Sequence, residues 1–144
     1  MPGVAITLQN QYDYNEDAVL ILSDHKCSVY LLADSNLEYE SYIQLGFQGA
    51  QCARSARTEC TPAMGIYPKT PSDSCIVELT KTNWPAEARE KYVYATSSIE
   101  PRGRHYVVSN HDVFHEVLAD SFSEKLIKKG DENYDFIKSL FSQN

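Results

Sequence analysis

The sequence has no apolar run approaching the ~20 residues of a membrane-spanning helix; the clean stretch Ala18–Leu22 is five residues long. Only 6 Gly and 6 Pro occur in 144 residues, which excludes collagen-like and low-complexity chains. Met1–Leu8 has neither a basic stretch nor an apolar segment of signal-peptide length, so a cytoplasmic location is expected. No glycine-rich phosphate loop, HExxH, GxSxG or GxGxxG occurs. Positive charge is scarce at the start. Residues 1–50 hold seven acids (Asp13, Glu16, Asp17, Asp24, Asp34, Glu38, Glu40) and one base, Lys26. Nucleic-acid binders need a basic face to displace phosphate counterions, so no nucleic acid is expected as a partner.

What is present is the composition of one globular domain, residues 1–144, with 42% hydrophobic and 23% charged residues. The net charge is −7, nearly all of it from the first third, because residues 51–144 hold 12 bases against 13 acids. Such a field repels phosphate and attracts basic protein. Cys27, Cys52, Cys60 and Cys75 are spaced by 25, 8 and 15 residues, which matches no CxxC or zinc ladder. Reduced thiols are expected in a cytoplasmic protein; a Cys52–Cys60 pair requires the segment between them to fold back.

Short apolar runs bounded by polar residues predict strands at Gly3–Thr7, Ala18–Leu22, Cys27–Ala33, Cys75–Thr80, Tyr92–Thr96 and His105–Val108. Ser23–Lys26 reads as the turn of a hairpin joining two of them. Asp34 or Ser35 caps a predicted helix over Asn36–Leu45, closed by Gly46. Pro85 opens a short helical turn, Ala86–Lys91. Residues 48–74 read as a long loop, mobile or used for binding. From Ser109 and Asp112 a capping-box pattern starts an amphipathic helix carrying Val113, Phe114, Val117, Leu118, Phe122, Leu126 and Ile127. Lys128, Lys129 and Gly130 end it, and Asp131 begins a second with Phe136, Ile137, Leu140 and Phe141. The fold class expected is therefore α+β: a mixed or mostly antiparallel sheet of about five or six short strands, with two C-terminal amphipathic helices on one face.

Three constellations could carry chemistry. His111 and His115 are four residues apart, the spacing that points two imidazoles from one helix face at a metal, with Glu116 or Asp112 completing the set. Cys27 with His105 and Asn110 or Asp112 has the order of a papain-like thiol hydrolase, in which a base generates the thiolate and a carbonyl or carboxylate orients the base. Val29-Tyr30, Asp34-Ser35 and Gly46-Phe47 are similar to the first block of toxin-type ADP-ribosyltransferases, and Tyr94-Ala-Thr-Ser-Ser98 resembles their serine-threonine-serine block. Leu31 and Leu32 stand where that family has an arginine, and no Glu-x-Glu or Gln-x-Glu occurs after Ser98. The resemblance implies at most a degenerate, NAD-binding relative, and no catalytic role is carried across.

Tyrosine is abundant, ten against five Phe and one Trp. Four of the ten lie among the acids. Tyrosine gives large contact area at low entropic cost and is enriched in interface hot spots. Tyr12, Asp13, Tyr14, Glu16, Asp17, Glu38, Tyr39, Glu40 and Tyr42 thus compose an expected partner-binding surface. The expected function is a small acidic, non-enzymatic binding protein of the inhibitor, immunity or antagonist type that meets a basic protein surface, with no cofactor and no membrane. The alternative is an enzyme, through the Cys27–His105 pair or the NAD-binding resemblance.

Overall fold

Short runs rich in β-branched and aromatic residues form strands along most of the chain, and clear alternation of buried and more exposed positions marks Tyr42–Gln48 and Ser121–Ile127. The computed structural model describes residues 3–24, 26–57, 59, 75–80, 82–84 and 103–141. Among these are nine strands: β1 (Gly3–Ile6), β2 (Val19–Leu22), β3 (Cys27–Leu32), β4 (Tyr42–Gln48), β5 (Cys52–Arg57), β6 (Ile76–Leu79), β7 (Arg104–Asn110), β8 (Val113–Ala119) and β9 (Ser121–Ile127). One helix, α1 (Tyr134–Phe141), follows. Antiparallel pairing builds a five-stranded sheet, β1-β6-β7-β8-β5, and a four-stranded sheet, β2-β3-β4-β9.

The sheets pack face to face as a sandwich. Val29 and Leu31 of β3 and Ile43, Leu45 and Phe47 of β4 meet Ile76, Tyr106, Val108, Val117 and Ala119 of the opposite sheet in one core. Phe47 and Tyr106 touch across it, ring centroids 5.5 Å apart. Residues of opposite parity face outward. On the four-stranded sheet, Tyr30, Tyr42 and Ile127 receive Tyr134 and Ile137 of α1, and Phe141 stacks on Tyr42 at 5.0 Å.

A bent double strand joins the two sheets. β4 pairs with β9 and β5 with β8, so β4–β5 and β8–β9 run side by side from one sheet into the other. Between the Gln48↔Ser121 and Cys52↔Leu118 pairs one strand has three residues and its partner two. An extra residue of this kind bends a strand and lets it change sheets. Gly49 sits in the bulge at φ 66°, a backbone region that side chains disfavour. Gly103 flanks the same corner at φ 122°, and a Cβ there would lie 2.7 Å from the Ala119 carbonyl oxygen. Gly103→Ala is therefore expected to cost about 1–3 kcal/mol, measurable by denaturant unfolding; an unchanged midpoint would contradict the corner geometry.

The structure corrects the α+β expectation: the described residues are mostly β, with one short C-terminal helix where two amphipathic helices on a sheet were expected. Residues assigned to the first of them form β8 and β9. Leu118, Phe122 and Leu126 recur every four residues, a step that suits a helix face and a strand face equally. The Ser109–Asp112 "cap" is the end of β7 and a two-residue turn. The helix expected over Asn36–Leu45 is a bend followed by β4, whose Ile43, Leu45 and Phe47 face the core while Tyr42, Gln44 and Gly46 face out. Part of the expected 48–74 loop is β5. The strands near residues 3, 19, 27, 76 and 105, the 23–26 hairpin and the helix after Asp131 agree with expectation. The elements expected over 86–96 lie outside the described residues.

Candidate functional site

Four connections converge at one end of the sandwich: 7–18, 33–41, 111–112 and 128–133. Their described residues carry nine carboxylates (Asp13, Glu16, Asp17, Asp34, Glu38, Glu40, Asp112, Asp131, Glu132) against Lys128 and Lys129. The first connection is tied down along its length. Glu124 accepts the Gln9 and Asn10 main-chain N–H groups, each at 2.8 Å. Tyr12 bridges Ala33, and the Asp13 N–H donates to the Leu32 carbonyl at 2.8 Å. Asn110 is buried, and its amide donates to the carbonyls of Asp13 (3.0 Å) and Glu16 (2.6 Å). Asp17 accepts the Asp112 N–H at 2.9 Å and lies 3.0 Å from His111 Nδ1. This clamp fits the backbone of His111, which has φ 57° in the β7–β8 turn. The acidic loop is thus held in place rather than draped over the surface.

The rings behave differently from the acids. Tyr14 is 72% exposed, but Tyr42 is fully buried beneath α1, and its hydroxyl donates to Glu40 at 2.9 Å. Burial and the Glu40 carboxylate push its hydroxyl pKa up. Tyr12 packs half-buried against the main core, and Tyr39 against Tyr134. Of the nine residues expected at a partner surface, the acids and Tyr14 are accessible there and Tyr42 is not. Leu37, 41% exposed in the 33–41 connection, was missed.

The thiol-hydrolase pair does not assemble. Cys27 lies in the core between the sheets, where burial pushes its pKa up to about 11. His105 is on the outer face of the other sheet, with both ring nitrogens engaged. Its Nε2 is 2.6 Å from Glu116 and its Nδ1 2.7 Å from the Thr82 hydroxyl. Neither Asn110 nor Asp112 orients it. Glu116, fully buried, is also gripped by Arg54 through Nε (2.5 Å) and Nη2 (3.0 Å). Arg54 lies over the Trp84 ring at 4.4 Å, and Trp84 meets His105 edge-on at 4.6 Å. Burial alone would raise the Glu116 pKa, but the hydrogen bonds from His105 and Arg54 and their charge hold it below the ordinary range. This polar cluster pins the 82–84 segment to β5, β7 and β8. Cys75 is also buried, its thiol pushed up to about 12 by burial. Cys52 is a free thiol; Cys60 lies outside the described residues.

His111 and His115 do not share a ligand site. His111 is in the turn, whereas His115 lies within β8 with its Nε2–H donating to the Ala18 carbonyl at 2.8 Å. Since a carbonyl only accepts, Nδ1 carries the lone pair, and the Ser55 hydroxyl donates to it at 2.6 Å. Burial lowers the His115 pKa, opposed in part by the Ala18 bond and the charge of Asp17. A histidine buried neutral gains protons on unfolding, so its stabilising contribution is present above the unfolded value of about 6.5 and fades as pH falls through its lower folded pKa. Stability is expected to decline below about pH 6.5, and His115→Gln to remove that limb in a pH series of thermal melts. A decline of equal size in the variant would contradict the burial account. Asp17, His111 and Asp112 offer three donor atoms within 4.8 Å of one another; the hydrogen bonds above already explain their closeness.

No family model, no curated protein and no solved structure matches the chain. Among the described residues, no helix is long and apolar enough to cross a membrane.

Proposed function

We propose that this chain is an acidic binding protein, of inhibitor, immunity or antagonist type, whose loop-bearing end meets a basic protein surface. The observation that carries the reading is the set of nine carboxylates on four adjoining connections, opposed by two lysines. Carboxylates gathered on one end raise encounter rates with a basic partner through long-range attraction. The hydrogen-bonded fixation of residues 9–17 adds to this, because a loop ordered beforehand loses less conformational entropy on binding. Tyr14 and Leu37 supply exposed apolar area within the same end. The surface differs from an aromatic-anchored interface: charge dominates, and all the described tyrosines but Tyr14 pack in or against the core.

The test is association kinetics against a panel of immobilised basic proteins of pI above about 9. A triple variant, Glu16→Lys, Asp34→Lys and Glu38→Lys, is compared with Asp24→Lys, which lies in the β2–β3 turn at the opposite end. The triple variant is expected to lose binding and Asp24→Lys to retain it. Equal loss in both would mean that net charge acts without a defined surface.

A further inference from the structure

We infer that Ser55 and His115 form a nucleophile–base pair that takes acyl groups from esters, an activity separate from the binding reading above. An activated serine requires a base within hydrogen-bond reach and a third group that orients the base. All three are present on adjoining elements. Ser55 and His115 are directly opposed across the β5–β8 pair, with Oγ 2.6 Å from Nδ1. The Ala18 carbonyl, 2.8 Å from Nε2, fixes the ring and its tautomer. Serine is exposed and histidine is buried, so a substrate can reach the hydroxyl while the base stays shielded from bulk water.

Burial keeps the imidazole neutral, and so able to accept a proton at neutral pH, but disfavours the imidazolium that results. The Ala18 hydrogen bond and the Asp17 carboxylate offset that cost only in part. As Oγ bonds to the acyl carbon, its proton passes to Nδ1. Collapse of the tetrahedral oxyanion breaks the bond to the leaving oxygen, which departs with the proton from Nδ1. Water then cleaves the acyl-serine, giving up a proton to Nδ1, and that proton returns to Ser55 Oγ; the products are a carboxylic acid and an alcohol. Among the described strands β5 is the end strand of its sheet, and such strands present outward main-chain N–H groups, the donor type that stabilises an oxyanion.

The same geometry has a purely structural reading, in which Ser55 only satisfies a buried ring nitrogen, and reactivity separates the two. The full chain is treated with a small fluorophosphonate, whose phosphorus Ser55 Oγ would attack with loss of fluoride, and the adduct is mapped by peptide mass spectrometry. Ser55 is expected to label at least about 100-fold faster than exposed Ser121 or Ser123 of the same molecule, the usual scale of general-base assistance. Ser55→Ala is expected to abolish the adduct, and a folded His115→Gln to slow it by a similar factor. Labelling of Ser55 no faster than of Ser121, or at an undiminished rate in folded His115→Gln, would overturn the proposal. The comparison within one molecule decides the matter even where His115→Gln does not fold. Neither result bears on whether the acidic end binds a basic partner.

Discussion

Arg54→Ala is expected to lower stability by about 3–5 kcal/mol, the range for breaking a buried ion pair from one side. The reason lies in what remains. Glu116 is fully buried, and Arg54 supplies two of its three hydrogen bonds. Without them the carboxylate keeps only His105, in a setting where an incompletely compensated charge is expensive. Arg54 itself is 41% exposed, so the converse change, Glu116→Gln, leaves a guanidinium that water can reach and is expected to cost less. Arg54→Lys is expected to fall between, since an ammonium cannot reproduce the two-pronged grip or the stacking on Trp84. The double variant Arg54→Ala/Glu116→Gln is expected to recover part of the loss. For a chain of this size each kcal/mol moves Tm by roughly 3–5 °C, so Arg54→Ala should melt on the order of 10–20 °C lower. A shift of less than about 3 °C would mean that Glu116 finds other partners. Acid should mimic the substitution. The folded pKa of Glu116 is depressed, so its contribution is present above the unfolded value of about 4.3 and is lost as pH falls through the folded one.

Reversing charge at Glu16, Asp34 and Glu38 is expected to slow association with a basic protein on the order of 10- to 100-fold, within the range attributed to electrostatic steering. The larger effect belongs in the association rate, because exposed rim charges act mainly before contact is made. None of the three side chains is needed to hold the loops. The clamps run through Glu124, Asn110, Asp17 and main-chain groups, so the melting temperature should be nearly unchanged. A variant that binds poorly but also melts much lower would indicate damage to the loop scaffold, and the kinetic comparison would then rest on Glu16→Lys alone.

The first strands were legible because Val19–Leu22 and Cys27–Leu32 are apolar runs separated by a polar turn. β8 and β9 were not. β8 is buried on both faces from Phe114 to Ala119, so it shows no alternation. In β9 the alternation of Phe122, Glu124 and Leu126 with serines and lysine is present, but a four-residue step connects it to β8 in helical style. The two polar clusters had a weak signature: His115-Glu116 interrupts an apolar run, which signals buried polar partners. Those partners, Ser55 and Arg54, are about sixty residues away, a separation no local pattern encodes. The acidic end was visible as charge, yet which rings faced outward was decided by α1 covering Tyr42 and by the core claiming Tyr12.

The most direct measurement is the association rate with an immobilised basic protein as ionic strength rises from about 10 mM to about 500 mM, across which the Debye length contracts from roughly 30 Å to a few ångströms. A clustered acidic end should give a steep fall over that range, with dissociation changing much less. A rate that stays flat would contradict it.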